Sequence, residues 1–265
     1  MTKQTRTRRR RQSLRVPAIE KLASVHVDRI NERVVFTTKN MIQNQLKRDG
    51  PRIRRSFDEL TRSHISVCSE LFGQTAGLVF RHLPNLQDDG FKATVSRLLN
   101  TALNTYLASI EVARHGYRRQ YGMLARSLIE AIATVITIAV KPTALKEFHA
   151  GKLRSTKCVS CAKDFVAPLG KYYGMLSDHF VHVGPAHAAL EPVSPYVPED
   201  EALKFIISSL RGDVWLLYLA AELVLHDEIA APRYWKSADG GVSFQPSEDE
   251  RRWMAAFLIG PEEIG

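Results

Sequence analysis

The chain reads as an all-α protein: an antiparallel helical bundle with an N-terminal helical extension and a disordered basic tail. Three observations predict this. Apolar residues recur at intervals of three and four along most of the sequence. Clusters of Pro and Gly cut it into segments of helix length. No Rossmann or P-loop glycine pattern is present, and strands do not alternate with helices.

Residues 1–16 form the tail. Seven of the first fifteen residues are basic (Lys3, Arg6, Arg8, Arg9, Arg10, Arg11, Arg15) and none is acidic. Met1 and Leu14 are their only apolar side chains, too few to fold on. The formal charge of +9 sits largely here, since the remainder holds 30 basic residues against 28 acidic ones. Such a run suits a polyanion, either a nucleic acid such as RNA, with Arg8 to Arg11 on its phosphates, or an anionic membrane surface; the alternative is a solubilising terminus with no specific partner.

Residues 17–84 read as a helical hairpin. Pro17 suits a first helical position, and Ile19, Leu22, Ile30, Val34 and Met41 carry helical spacing to residue 47. The β-branched run Val34 to Thr38 argues the other way. Asp49-Gly50-Pro51 ends this helix, and residues 56–82 form the next.

Residues 85–228 form the bundle core. Phe91, Val95, Leu98, Ala102, Tyr106 and Ile110 define a helix over 91–113, and a second runs over 117–140 to the Lys141-Pro142 stop. Their short connection makes them antiparallel neighbours. A short helix at 143–150 precedes a loop over 151–170, and another helix spans 171–183. Pro185, Pro192, Pro195 and Pro198 keep the next segment extended. Residues 201–227 form the cleanest helix, whose four-three seam serves the bundle core or a homodimer. In residues 229–265, Trp235 to Phe244 can close a small hairpin, and a capping helix covers 248–259. Ser247 and Glu250 form a capping box at its start.

With 265 residues, 45% of them hydrophobic, the chain can bury a substantial core. No clean run of about 18 apolar residues is present, so no membrane span is expected. Three cysteines make no disulfide scaffold, which favours a reducing cytoplasm.

The helix over 117–140 is nearly all apolar from Leu124 onward. Arg126, Glu130, Thr134 and Thr137, spaced four, four and three, form one polar stripe on it. A buried arginine without a partner is costly, so Arg126 and Glu130 should pair or meet a third polar group. The helix over 171–183 offers one. Asp178 and His182 lie four apart, and Ser177 borders their face. An aspartate can hold a histidine in one tautomer. Arginine plus an oriented histidine suffices for RNA cleavage without metal or cofactor: His182 as general base, Asp178 orienting it, Arg126 on phosphate and Glu130 positioning Arg126. The alternative is a buried network that fixes helix register. Glu222 is assigned to the same polar interior. Cys158-x-x-Cys161 is half a zinc site, which His179 and His182 would complete as the metal-binding alternative.

The segments Arg126-Ser-Leu-Ile-Glu130 and Leu176-Ser177-Asp-His-Phe-Val-His182 resemble an uncharacterised bacterial family with R-S-L-[LI]-E and L-S-x-x-x-x-H helices. The likeness extends over residues 91–227 and implies roles for Arg126, Glu130, Ser177 and His182. More distantly the chain resembles HEPN domains, helical bundles often acting as RNases. Those nucleases carry Arg and His four to six residues apart on one helix, whereas here two helices must bring them together. The resulting expectation is a HEPN-like RNA-cleaving or toxin/defence protein. The alternative is a non-catalytic nucleic-acid-binding or regulatory interaction protein.

Overall fold

A computed structural model describes residues 21–30, 32–81, 90–188, 193–238 and 241–259. The basic tail lies outside them. The chain divides into two compact units, residues 1–51 and 52–265.

The N-terminal unit corrects the expected helix over 17–47. Strands β1 (Leu22–Asp28) and β2 (Arg33–Thr38) pair antiparallel there, followed by α1 (Met41–Asn44) and a π-helical turn, Gln45–Asp49. Register explains the outcome. Val25 faces Phe36 and Val27 faces Val34, whereas Ser24 faces Thr37 and Asp28 faces Arg33. Strand alternation thus puts Val25, Val27, Val34 and Phe36 on one face and Ser24, His26, Asp28, Arg33, Val35 and Thr37 on the other, and the β-branched residues prefer this extended state. Ser24 and Thr37 share a 2.7 Å hydrogen bond, and Arg33 Nε donates to Asp28 at 2.9 Å. Asn44 Nδ2 donates to Thr38 Oγ1, tying α1 to the end of β2. Val25, Val27 and Val34 remain more than half exposed.

The helical unit is the expected bundle. Its first helix, α2 (Gly50–Phe80), starts earlier than expected. Gly50 and Pro51 occupy the first turn, where proline's missing N–H has no intrahelical role. α3 (Phe91–Arg114) and α4 (Arg118–Val140) form the anticipated hairpin. Gly116 turns between them at φ +81°, a left-handed conformation that a Cβ disfavours. α5 (Ala144–His149), α6 (Ser155–Ala162), α7 (Pro168–Leu176), α8 (Glu201–Val224) and α9 (Glu248–Ile259) complete the helices. The small hairpin is β3 (Trp235–Ala238) with β4 (Gly241–Phe244), Trp235 facing Phe244.

α4 is the central element, flanked by α3, α6, α7 and α8. Leu128, Ile129, Ile132, Val135 and Ile136 are fully buried along it. By length and composition it is the one described helix that could cross a membrane, a test that the core helix of a bundle also passes. At the start of α8, Asp200 caps by accepting from the Ala202 and Leu203 amides. It also pairs with Arg118 at 2.7 Å, fastening α8 to the start of α4. At α9 only half of the capping box forms. Ser247 Oγ accepts from the Glu250 amide, while the Glu250 carboxylate turns to Arg233.

Gly122 on α4 meets the Phe180 ring, which itself stacks on Phe205 at 5.3 Å. A Cβ at Gly122 would lie 2.2 Å from the ring. Gly122→Ala should therefore destabilise the fold by about 1–3 kcal/mol through overpacking. Thermal melting checks this, and an unchanged midpoint would mean that the ring has room to retreat.

Candidate functional site

α4 and α7 cross where the sequence places the polar stripe. Arg126 Nε donates to Ser177 Oγ at 3.0 Å, and its Nη2 donates to the Tyr173 hydroxyl at 2.7 Å. The Tyr173 hydroxyl in turn donates to Glu130 Oε1 at 2.9 Å, and Glu130 also pairs with Arg126 at 3.1 Å. Ser177 Oγ donates to the Tyr173 carbonyl. The guanidinium lies 5.0 Å from the Tyr173 ring centre. Arg126 and Glu130 are each about a quarter exposed, at 23% and 25%. Thr134 and Thr137, lower on the stripe, return their hydroxyls to the Glu130 and Ala133 carbonyls, Thr137 also reaching the Cys158 carbonyl.

The structure thus joins three of the five expected site residues, Arg126, Glu130 and Ser177, and adds Tyr173. It does not join the other two. After α7 the chain widens into a π-turn, Ser177–Val181, in which the His182 amide bonds to the Ser177 carbonyl. The backbone at His182 is then extended. This breaks the four-residue spacing on which the Asp178–His182 pair depended. Asp178, His179 and His182 are all exposed. Among the described residues no hydrogen bond or ion pair links Asp178 to His182, or either of them to Arg126. The arrangement is a charge-paired, hydrogen-bonded cluster that fixes α7 against α4, and among the described residues no histidine stands beside the arginine.

The metal-binding alternative is also corrected. The loop expected over 151–170 contains α6, and Cys158 and Cys161 point inward from it, both buried. His179 is exposed. Among the described residues no three His, Cys, Asp or Glu side chains stand together as a metal set.

A second buried polar group escaped sequence reasoning. Asp213, fully buried on α8, accepts from the Tyr172 hydroxyl at 3.0 Å and lies 3.4 Å from the Tyr121 hydroxyl. Burial pushes its carboxyl up to about 8, against the downward pull of those two hydroxyls. The same burial, with the aspartate nearby, raises Tyr121 and Tyr172 well above the usual phenol range. Two residues earlier, buried Arg211 donates to the Phe257 carbonyl and to His64 Nδ1, joining α8 to α9 and α2. The signal was available: Arg211 and Asp213 are charges inside an otherwise apolar seam. Glu222 does not share the Arg126 interior. Its Oε1 accepts from the Tyr234 and Trp235 amides and anchors the segment entering β3.

No family model, no curated protein and no solved structure matches the chain. The resemblance to R-S-L-[LI]-E and L-S-x-x-x-x-H helices therefore rests on those two segments alone.

Proposed function

We propose that the protein is a non-catalytic nucleic-acid-binding protein, with the N-terminal unit as contacting arm and the helical unit as scaffold. The observation that carries this reading is the partition of charge. Residues 1–51 hold thirteen Lys and Arg against four Asp and Glu, while residues 52–265 hold twenty-four of each. All of the excess positive charge belongs to one small unit, the electrostatic footprint of a phosphate-binding arm. The engagement of Arg126 by Ser177, Tyr173 and Glu130 supports the non-catalytic half of the reading, because among the described residues neither Asp178 nor His182 joins the arginine.

The test is binding of a labelled single-stranded RNA and a duplex DNA of equal length across a salt series. Affinity should fall linearly on logarithmic axes. Replacing Arg8, Arg9, Arg10 and Arg11 by Gln should lower that slope by about 3 if each residue neutralises one phosphate. An unchanged slope overturns the arm's role. The same preparations, incubated with total RNA, test the HEPN-like alternative. Cleavage lost in Arg126→Ala and in His182→Ala, with both variants folded, would replace the present reading.

A further inference from the structure

Between α7, α8 and α9 lies a pocket of about 400 Å³, within the roughly 300–1,000 Å³ range of small-molecule sites. We propose that it binds an uncharged, largely apolar organic molecule, independently of the nucleic-acid arm. Met175 of α7, Phe205 and Leu216 of α8, and Met254 and Leu258 of α9 form its walls. Such thioether and aromatic surfaces accept flat apolar ligands. Among the described residues no Lys, Arg, Asp or Glu lines it, so an ionic ligand would lose its hydration with no compensating charge. The polar groups of the lining are hydroxyls and one indole. Ser208 is exposed at the rim, able to take a hydroxyl or carbonyl group of the ligand. The Tyr172 ring forms wall while its hydroxyl is held by buried Asp213 behind it.

The floor supplies an independent observation. Gly212 sits in mid-α8, where glycine is a poor helix former. Among the described residues a Cβ there would meet no atom of another element within 4 Å, so packing against a neighbour does not require the glycine. What the missing side chain leaves is the open space of the pocket.

Trp215, on the pocket wall, makes the site readable. N-phenyl-1-naphthylamine, an uncharged naphthalene dye, should bind the full chain, brighten, and accept energy from tryptophan excited at 295 nm. Its anionic relative 1-anilinonaphthalene-8-sulfonate should bind at least about tenfold more weakly. Gly212→Leu fills the space and should cut affinity for the neutral dye by at least about tenfold while the melting point holds or rises. Gly212→Ala, a smaller plug, should fall between. Val27→Ser, which removes an exposed apolar group from the N-terminal unit, should leave dye binding unchanged. Equal binding by wild type and Gly212→Leu overturns the proposal, and so does loss of binding in Val27→Ser alone. Absence of dye binding by wild type also overturns it. RNA binding by Gly212→Leu should equal that of wild type, so failure of the pocket and failure of the arm are read separately.

Discussion

Asp213→Asn should stabilise the protein above pH 7 and flatten the dependence of its stability on pH. The aspartate carboxyl titrates near 3.8 in the unfolded chain and about 8 when folded. Between those values the folded chain holds a proton that the unfolded chain releases, so the unfolded state gains with every rise in pH. The contribution is present in full below pH 4, declines through neutrality and is gone above about pH 8. A displacement of this size corresponds to up to about 6 kcal/mol. Asparagine keeps an acceptor for Tyr172 and has no proton to lose. Urea unfolding at pH 5 and at pH 8.5 checks the claim. The wild type should weaken sharply between the two conditions and the variant only slightly. Parallel behaviour of the two proteins would mean that Asp213 stays ionised, with its hydroxyl donors outweighing burial.

Glu222→Ala should cost about 2–5 kcal/mol. The carboxylate oxygen that accepts from the Tyr234 and Trp235 amides lies in a fully buried side chain. Without it two buried N–H groups lose their acceptor together, at roughly 1–3 kcal/mol each. Loss should be accompanied by a weakened near-ultraviolet signal from Trp235, whose indole N–H reaches back to the Leu219 carbonyl. Glu222→Gln keeps one oxygen in place and should retain most of the stability. If Gln and Ala prove equally damaging, the negative charge rather than the acceptor holds the segment.

The helices most legible in the sequence are those whose burial is one-sided and periodic. The seams of α3 and α8 fix which face is inward, and Gly116 and Pro142 mark where the α3–α4 hairpin turns and stops. The N-terminal unit was misread because Leu22, Ile30, Val34 and Met41 satisfy helical spacing by coincidence. The pairing of Val25 with Phe36 and of Val27 with Val34 is a cross-strand relation, and spacing along one segment does not contain it. Arg126 with Glu130 was legible because both partners lie on one helix, four apart. Ser177 was legible from the second motif, whereas Tyr173, four residues before it, was not marked as a partner, and the π-turn after α7 that sends His182 away has no signal in the spacing. Asp213 was overlooked for the opposite reason, since an apolar seam draws attention to its hydrophobic members rather than to the charge between them.

The charge partition also bears on how copies of this protein behave together. The helical unit carries as many acids as bases, so at neutral pH the repulsion that keeps molecules apart in solution comes from the N-terminal unit. A polyanion bound there cancels that repulsion while aligning many copies along one strand. Scaffolds without net charge would then crowd together. If the N-terminal unit binds nucleic acid as proposed, a long strand would favour clustering and the free protein would be the dispersed form.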